Sequence, residues 1–430
     1  MPRRFPSSAP AIVISSQRRG RRGLDQLAIT ILYGSVYNGR SHGVRSRSVV
    51  AAGGLVGLCS LLLLLGGCAS VEQRAAYSAD DAKRARIEGF QAIRMWADAP
   101  AESFDSSSFK PQPQPGKPFA YLALSGGGGD GAFGAGILNG WSESGARPEF
   151  TVVSGVSTGA LIAPFAFLGP AYDPTLKEMY TSGLASSFAA SPNALGALFG
   201  SSVFDGQPLR DAIAHYTTPE LLEAIAREHA RGRRLFVVTT DLDAARPVLW
   251  NMGEIASART PRSLQLFRQV LTASASVPVA FPPALIAASS DGKPIEEMHV
   301  DGGVSTQVFT FPDRLLMQTG SSQRLAAKPA IYIIMNGRTS PDFQPVENST
   351  KAIAIRSLDM KSKREIQSYL SATYQFARRN GMAFNMTAID QSVPESQGIG
   401  FDTDYMRTLY ALGYDSARSG RFWTQTPPVP

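Results

Sequence analysis

Two glycine-rich turns, each directly after an apolar run, constrain the fold of this chain more than any other feature. The first run, residues 121–124, leads through Ser125 into residues 126–131, which are glycines with one aspartate. The second run, residues 150–154, leads into the pentapeptide 155–159, and helix-forming residues follow. Short apolar runs closed by glycines are typical of buried parallel strands that turn sharply into helices. The two turns therefore predict neighbouring strands of one parallel sheet.

The second turn has the pattern Gly-x-Ser-x-Gly between a predicted strand and a predicted helix. In this context the pattern is typical of a nucleophile elbow, because Gly155 and Gly159 let the backbone turn sharply and leave the Ser157 side chain exposed. Backbone amides of the first turn would then face the carbonyl carbon that the serine attacks, as in an oxyanion hole. The candidate amide donors are Gly126, Gly127, Gly128, Gly129, Asp130, Gly131 and Thr158.

The first turn also satisfies the pattern Gly-x-Gly-x-x-Gly of dinucleotide-binding proteins. That fingerprint requires an acidic residue about 20 positions further on, at the end of the next strand, to bind the ribose. Residues 150–157 contain no acidic residue. The nucleotide interpretation therefore lacks its specificity residue, and we expect no cofactor. We also expect no metal, because the chain lacks the His and Cys groupings of a zinc site.

The distribution of charge argues against a nucleic-acid partner. The formal net charge is +7, but residues 1–67 contain nine Arg and one Asp, which leaves 33 basic and 34 acidic residues in the rest. The basic character belongs to this leader, so the body of the chain gives no reason to expect DNA or RNA binding. A chain of 430 residues, 43% of them hydrophobic, can bury a large core in one main domain with appendages.

The leader ends in a pattern that is typical of secretion. A basic flank precedes an apolar run at 49–65, and small residues follow it. Residues 65–68 also resemble the lipobox of bacterial lipoproteins, in which the cysteine, here Cys68, is lipidated and becomes the first mature residue. Cys59 would leave with the signal, so the mature chain would have no disulfide. The long leader is consistent with translation that starts near Val44.

This leader predicts a membrane-anchored lipoprotein of the cell envelope, outside the cytoplasm. We expect it at the outer membrane, either on the periplasmic side or at the surface. An uncleaved membrane anchor is the alternative interpretation of the apolar run. In either case the body of the protein would be tethered to a membrane.

The predicted strands and helices alternate along the body, which indicates an α/β fold with a mainly parallel sheet. A helix is predicted within residues 71–98, because Ile87, Phe90, Ile93 and Trp96 lie at helical spacing. Further strands are predicted at 119–124, 150–154, 235–240, 247–251, 298–300, 330–335 and 383–389, and further helices at 132–144, 158–168, 209–231, 262–274, 352–379 and 405–418.

The chain divides into four predicted parts. Residues 1–67 are the leader and signal, and residues 68–117 are a tether, an N-terminal helix and a Pro/Ser-rich linker. Residues 118–390 form the catalytic domain, and residues 391–430 form a C-terminal helix and tail. Within the domain, residues 172–206 are small and apolar, which fits either a helical cap or a lipid-facing loop.

A serine nucleophile needs a base, and both histidines and carboxylates are candidates. His215 and His229 lie in charged helical stretches and are interpreted as surface residues. His299 shares a strand face with Asp301, so it could line the site or support it. Asp301 ends a predicted strand, and Gly302-Gly303 after it allows close backbone approach. Three other carboxylates lie near strand or helix ends: Asp241, Asp402 and Asp404. Carboxylates in such positions more often cap the helix or turn.

Three motifs in this order resemble the patatin-like phospholipase family over residues 119–304: the glycine series, Gly-x-Ser-x-Gly, and Asp-Gly-Gly. Residues 273–283 also resemble the segment ahead of the Asp motif in that family. The resemblance implies a three-layer α/β/α patatin-like sandwich and a Ser-Asp dyad, with Ser157 as nucleophile and Asp301 as base. It also implies an oxyanion turn at 126–131, where most members carry Arg or Lys in place of Asp130.

Three functional hypotheses follow. The first is a membrane-tethered serine acyl-hydrolase, a lipid esterase or phospholipase A-type enzyme, that acts through an acyl-Ser157 intermediate. The second is an esterase in which His299 completes a triad. The third is a catalytically silent lipid-binding envelope lipoprotein, in which Asp130 marks decay of the site. Because a cation in the turn would help to bind phosphate, Asp130 also weakens the case for phospholipids relative to neutral esters. The sequence does not predict the oligomeric state.

Overall fold

A nine-stranded sheet lies at the centre of the computed structural model. The structure describes residues 74–105, 108–112, 116–189, 202–317, 329–393 and 401–428, so the predicted leader and Cys68 lie outside the described residues. The strands in chain order are β1 (Arg94–Trp96), β2 (Ala120–Leu124), β3 (Val152–Val156), β4 (Arg234–Asp241), β5 (Arg246–Asn251), β6 (Ala284–Ser290), β7 (Lys293–Asp301), β8 (Ala330–Met335) and β9 (Ala383–Ala388).

The centre of the sheet is parallel and one end of it is antiparallel. Strands β4, β3, β2, β8 and β9 are parallel neighbours in that order. Beyond β4, strands β5 and β1 continue the sheet in antiparallel pairing. Strand β7 also pairs antiparallel with β4, near the C-terminal end of that strand, and forms a hairpin with β6. The predicted mainly parallel central sheet is confirmed.

Helices connect these strands and cover the sheet. In chain order they are α1 (Ala79–Arg84), α2 (Gly131–Glu143), α3 (Thr158–Leu168), α4 (Asp173–Thr181), α5 (Gln207–Tyr216), α6 (Pro219–Ala230), α7 (Met252–Ser257), α8 (Pro261–Ala275), α9 (Asp313–Met317), α10 (Thr350–Arg379) and α11 (Thr403–Arg418). Among the described helices, none combines the length and the apolar composition that a bilayer span requires.

Side chains of the parallel strands enter two hydrophobic cores, one on each face of the sheet. In β2, Leu122 and Leu124 join the core that also contains residues of α2, α3 and α11. Tyr121 and Ala123 point the other way and join the core that contains residues of α10. Alternating side chains that are buried on both faces are the pattern of a covered parallel sheet. The predicted three-layer α/β/α architecture is therefore confirmed.

The helix predicted within residues 71–98 is wrong for most of that stretch. In its described part, residues 74–98, only α1 is α-helical, and β1 pairs with β5 instead. Gly89 and Ala92 have left-handed backbone angles, with φ of 82° and 49°, which interrupt a helix. Ile87 and Ile93 are nevertheless buried, so the extended chain buries the apolar residues whose spacing favoured a helix.

The hairpin of β6 and β7 was only partly predicted. The sequence analysis predicted a strand at 298–300, whereas β7 begins at Lys293 and β6 precedes it. Buried residues alternate with exposed or half-buried ones along much of both strands, which is the period of a half-covered sheet. The hairpin matters for function because Asp301 is its last residue.

Segments at both ends of the body pack against it. In the predicted linker, the Phe109 ring stacks on Phe236 of β4, with ring centroids 5.7 Å apart. The C-terminal helix α11 lies against α2, and a Cβ atom at Gly136 would come within 2.1 Å of the Tyr410 carbonyl oxygen. In the stretch predicted as a cap or loop, α4 and a short helix at Leu184–Ala189 are described, and residues 190–201 are outside the described part.

Candidate active site

The strand register brings the end of β7 to the end of β3. Val156, the last residue of β3, lies opposite Val238 of β4. The next β4 residue, Thr239, lies opposite Asp301 of β7. Because β5 covers the other side of β4, strands β3 and β7 follow each other along the same side and their C-terminal ends meet. Ser157, directly after β3, and Asp301 are therefore brought together.

Ser157 occupies a strained turn between β3 and α3. Its backbone angles are φ 56° and ψ −125°, which a residue with a side chain rarely adopts. The Ser157 amide donates a hydrogen bond of 3.0 Å to Ser274 Oγ, and Ser274 Oγ donates to the Val238 carbonyl at 2.7 Å. Helix α8 thus holds the elbow through Ser274, a residue that the sequence analysis did not single out as part of the site.

Asp301 is almost completely enclosed, with 4% of its surface exposed. Its amide donates to the Ser276 carbonyl at 2.9 Å, and its Oδ1 atom accepts a 2.7 Å hydrogen bond from the Gly303 amide. Within the described residues, Oδ2 has no hydrogen-bond donor at bonding distance. Burial raises the pKa of Asp301 to about 7, although the adjacent Ser157 hydroxyl and the Gly303 amide lower it. A carboxylate with this pKa can accept a proton near neutral pH.

Part of the predicted oxyanion turn has free amides. The Gly126 amide donates to the Gln307 carbonyl at 2.9 Å, and the Asp130 amide donates to the Gly127 carbonyl at 3.0 Å. The Gly131 amide donates to the Gly128 carbonyl as α2 begins. Across the described part of the chain, no acceptor contacts the amides of Gly127, Gly128, Gly129 or Thr158. These four amides are the available donors.

The turn lies directly beside Ser157. A Cβ atom placed on Gly126 would lie 3.2 Å from Ser157 Cβ and 3.8 Å from Ser157 Oγ. Gln307 joins the turn to the aspartate motif, because its carbonyl accepts from Gly126 and its Nε2 donates to the Gly303 carbonyl at 2.9 Å. Nothing in the local sequence around Gln307 indicated this role.

We expect Gly127→Ala to disrupt this turn. Gly127 has a φ of 154°, and a Cβ atom there would lie 1.8 Å from the Asn336 carbonyl oxygen, so both backbone strain and a clash oppose a side chain. Strain alone costs roughly 1–3 kcal/mol; with the clash, the free energy of unfolding should fall by more than about 3 kcal/mol. Urea unfolding measures this change.

Gly145→Ala is the matched control for this substitution. Gly145 has a φ of 71°, but no atom lies within 4 Å of an added Cβ. The free energy of unfolding of Gly145→Ala should therefore fall only by the cost of backbone strain, about 1 kcal/mol. Equal losses at the two positions would contradict the close packing of the turn against Asn336.

Two tyrosines from surrounding helices form hydrogen bonds with residues of the predicted oxyanion hole. Thr158 Oγ1 and Tyr180 Oη of α4 are 2.6 Å apart and share a hydrogen bond. Tyr405 of α11 donates from Oη to Asp130 Oδ1 at 2.8 Å. The carboxylate that stands in place of the family's usual basic residue is therefore tied to the C-terminal helix.

The glycines of the elbow and of the aspartate motif lie where the backbone approaches closely. A Cβ at Gly155 would lie 2.3 Å from the Gly159 carbonyl oxygen, and one at Gly159 would lie 2.4 Å from the Leu124 carbonyl oxygen. At Gly302 it would lie 2.5 Å from the Val238 carbonyl oxygen. At these three glycines the neighbouring backbone therefore lies too close to allow a side chain.

The histidines are placed away from the candidate nucleophile. His299 is fully buried, and its two ring nitrogens lie 2.9 Å from Thr239 Oγ1 and 3.4 Å from Glu297 Oε2. Among the described contacts, none joins His299 to Ser157. His215 is exposed as predicted, but the surface assignment of His229 is wrong. Its side chain is only 11% exposed and lies 3.0 Å from Glu254.

The other candidate carboxylates have structural partners. Asp241 Oδ1 accepts the amides of Asp243 and Ala244 in the turn after β4. Asp402 caps α11 by accepting the Tyr405 amide at 2.8 Å. Asp404 lies in the exposed first turn of the same helix.

One group of side chains outside the elbow has the composition of a metal site. Ligand atoms of Asp241, Glu297 and His299 lie within 4.8 Å of one another, and all three residues are buried. Arg94 forms a bidentate contact with the Glu297 carboxylate. Burial raises the pKa of Glu297, but His299 and Arg94 outweigh this effect and hold it at about 2. Because Arg94 already neutralises the Glu297 carboxylate, we interpret this cluster of side chains as a buried ionic network and not as a metal site.

A strained serine at a strand-to-helix turn, beside a buried carboxylate and free backbone amides, is the arrangement of a serine hydrolase. The comparison with protein families agrees with this class. Residues 122–311 match the family described as patatin-like phospholipase. Residues 122–311 are therefore similar to a patatin-like phospholipase domain, and this similarity supports a lipid hydrolase activity.

Solved structures give more distant likenesses. VipD from Legionella pneumophila has 13% sequence identity and a TM-score of 0.32, over 72% of this chain and 67% of VipD. The type III effector protein ExoU has 13% identity and a TM-score of 0.29, over 71% of this chain and 53% of ExoU. The chain thus spans about half of ExoU, which has also been solved with SpcU from Pseudomonas aeruginosa. No curated protein sequence matches the chain.

Proposed function

We propose that this protein is a serine acyl-hydrolase that cleaves carboxylic esters of lipids, with Ser157 as nucleophile and Asp301 as general base. The observation that carries the proposal is the meeting of β3 and β7, which sets a buried carboxylate beside the elbow serine. The family match over residues 122–311 supports a lipid ester as substrate. We propose the dyad without a histidine because the ring nitrogens of His299 contact Thr239 and Glu297.

In the acylation step, Ser157 Oγ attacks the ester carbonyl carbon and its proton passes to Asp301. The carbonyl oxygen becomes an oxyanion, to which the amides of Gly127–129 and Thr158 donate hydrogen bonds. Removing one such donor typically costs about 3–4 kcal/mol of transition-state stabilisation. The intermediate then collapses, the C–O bond to the alcohol breaks, and the leaving alcohol takes the proton back from Asp301.

In the deacylation step, Asp301 removes a proton from a water molecule that attacks the acyl-Ser157 carbonyl carbon. The same amides stabilise the second oxyanion. When this intermediate collapses, the fatty acid leaves and the proton returns from Asp301 to Ser157 Oγ. A single carboxylate thus accepts and returns one proton in each half of the reaction.

Hydrolysis measured across pH tests the proposal. The substrates are p-nitrophenyl butyrate, a neutral diacylglycerol and phosphatidylcholine vesicles. We expect kcat/KM to rise with pH through about 7, because only the ionised Asp301 can accept the proton and burial raises its pKa to about 7. An ordinary aspartate would already be fully ionised at pH 6.

His299→Gln is the control variant in this experiment. It should retain the activity and the same rise near pH 7, since glutamine can still bond to Thr239. Loss of the rise in this variant would assign the base to the histidine. If the wild type cleaves none of the three substrates and a fluorophosphonate leaves Ser157 unlabelled, the chain is a silent lipid-binding protein and the proposal fails.

We also propose that the chain is anchored to the cell envelope through a lipidated Cys68. This proposal is supported by the basic flank, the apolar run and residues 65–68. An anchored enzyme would act on lipids of the membrane to which it is attached. Mass spectrometry of the mature N-terminus would identify a diacylated cysteine, and an unmodified Cys68 would overturn the proposal.

A further inference from the structure

An apolar cavity begins at the oxyanion turn and runs between the helices on that face of the sheet. Gly128 and Thr158, two of the candidate amide donors, lie in its wall. From there it extends between α3, α4, α5 and the short helix at Leu184–Ala189, with Phe401 and Met406 completing the wall. Its free volume is about 60 Å³. A substrate held by the amides would have this space beside its carbonyl group.

The wall of the cavity is apolar and uncharged. Among its described lining residues there is no Lys, Arg, His, Asp or Glu. Both tyrosine hydroxyls of the wall have hydrogen-bond partners: Tyr180 Oη bonds to Thr158, and Tyr216 Oη donates to Glu178 at 3.4 Å. Away from the free amides of Gly128 and Thr158, such a surface suits a hydrocarbon chain better than a phosphate or a glycerol hydroxyl.

Aromatic rings pack against one another at one side of the cavity. The rings of Phe188 and Phe401 meet edge to face with centroids 5.6 Å apart, and Phe281 contacts Phe401 at 6.4 Å. Phe188 and Phe281 are buried. Since close-packed aromatic walls resist expansion, the space for a ligand is set by the residues that line it.

We propose that this cavity takes the acyl chain of the substrate and selects short chains, with Ala212 of α5 as a residue that sets the length. The proposal rests on the proposed serine hydrolase function. One water needs about 10–15 Å³ of such volume, so the cavity has room for only a short hydrocarbon chain. A butyryl or hexanoyl chain fits, whereas a palmitoyl chain would have to displace packed side chains.

Ala212 is suited to this role because of its size and position. It is buried and lines the cavity, so a leucine there would add three carbon atoms to a residue of the wall. Leucine favours a helix nearly as well as alanine, so α5 should tolerate the change. Ala214 on the same helix does not line the cavity, so Ala214→Leu is the matched control. Met179→Ala should widen the cavity, because Met179 is half-buried in the opposite wall.

The experiment compares kcat/KM for p-nitrophenyl acetate, butyrate, hexanoate, octanoate and palmitate. The wild type should prefer butyrate and hexanoate and fall at least 10-fold by palmitate. Ala212→Leu should lower the hexanoate-to-acetate ratio by 10-fold or more, since one methylene in a filled pocket changes specificity 10- to 200-fold. Met179→Ala should raise the octanoate-to-butyrate ratio several-fold, and Ala214→Leu should leave the order of substrates unchanged.

Binding of hexanoate, measured by calorimetry, distinguishes the hydrolase proposal from the acyl-cavity proposal. If the wild type cleaves no ester but binds hexanoate, and Ala212→Leu weakens that binding, the hydrolase function fails and the acyl cavity stands. If esters are cleaved but Ala212→Leu affects all chain lengths equally, or palmitate is the preferred ester, the acyl cavity fails and the hydrolase stands. Equal effects of Ala212→Leu and Ala214→Leu would also overturn the assignment of the cavity.

Discussion

Replacing Ser157 by alanine is expected to lower kcat/KM at least about 10⁴-fold for every ester that the wild type cleaves. The variant has no hydroxyl to form the acyl intermediate, so only substrate binding and the backbone amides would contribute. The fold should survive, because alanine at φ 56° has the same backbone strain as serine, and the amide can still donate to Ser274 Oγ. Steady-state hydrolysis and circular dichroism measure the two effects.

Ser276→Ala is the appropriate comparison for this loss. Its hydroxyl donates to the Thr272 carbonyl at 2.9 Å, whereas its contact with Asp301 is made by its backbone carbonyl. Removing that hydroxyl should therefore change activity less than about 10-fold, because the contact with Asp301 remains. If Ser157→Ala keeps more than a few per cent of the activity, another group is the nucleophile.

The parts of the fold that could be predicted from sequence are those that local pattern determines. The strand at 330–335 and the helix at 158–168 have the predicted bounds. The strand lies in the buried parallel sheet and the helix packs on one face of that sheet, and in both a continuous apolar run ends at glycine or a polar turn. The alternation of predicted strands and helices was sufficient to predict a mainly parallel sheet.

The antiparallel part of the sheet could not be predicted in the same way. The spacing of Ile87, Phe90, Ile93 and Trp96 satisfies a helix, but pairing of β1 with β5 buries Ile93 in extended chain. Strand β6 is mixed polar and apolar, so its sequence alone gives a weak strand signal. The partner of β1 lies far away in sequence, so tertiary pairing determines its local conformation, whereas β6 pairs with β7 directly after it.

The supporting residues of the candidate site escaped prediction for the same reason. Ser274 contacts Ser157 from α8, Gln307 contacts Gly126 from a loop, and Tyr180 contacts Thr158 from α4. None of them belongs to a motif whose spacing signals its partner. Their roles follow from the register of β4 with its neighbours and the packing of helices on the sheet. The roles of Ser157 and Asp301 themselves stay predictions that the variants above test.

Asp301→Asn is expected to abolish hydrolysis and yet stabilise the folded protein at neutral and alkaline pH. Burial raises the pKa of Asp301 from 3.8 to about 7 in the folded state. Between about pH 4 and pH 7 the folded chain therefore binds more protons than the unfolded chain, so the ionisation of Asp301 lowers stability as pH rises through this window. A pKa raised from 3.8 to about 7 corresponds to roughly 4 kcal/mol of stability. Asparagine does not ionise, and its Oδ1 atom can still accept from the Gly303 amide.

The free energy of unfolding in urea, measured for both proteins at pH 4 and pH 8, tests this expectation. At pH 4 the free energy of unfolding of Asp301→Asn should exceed that of the wild type only slightly. At pH 8 this difference should be larger by up to about 4 kcal/mol. Asp404→Asn, which alters a carboxylate that is 92% exposed, controls for the loss of one negative charge. An advantage that does not grow with pH would mean that Asp301 ionises freely in the folded state. It would then lack the raised pKa that a base for Ser157 requires, because a carboxylate that ionises at its ordinary pKa is too weak to accept the serine proton efficiently.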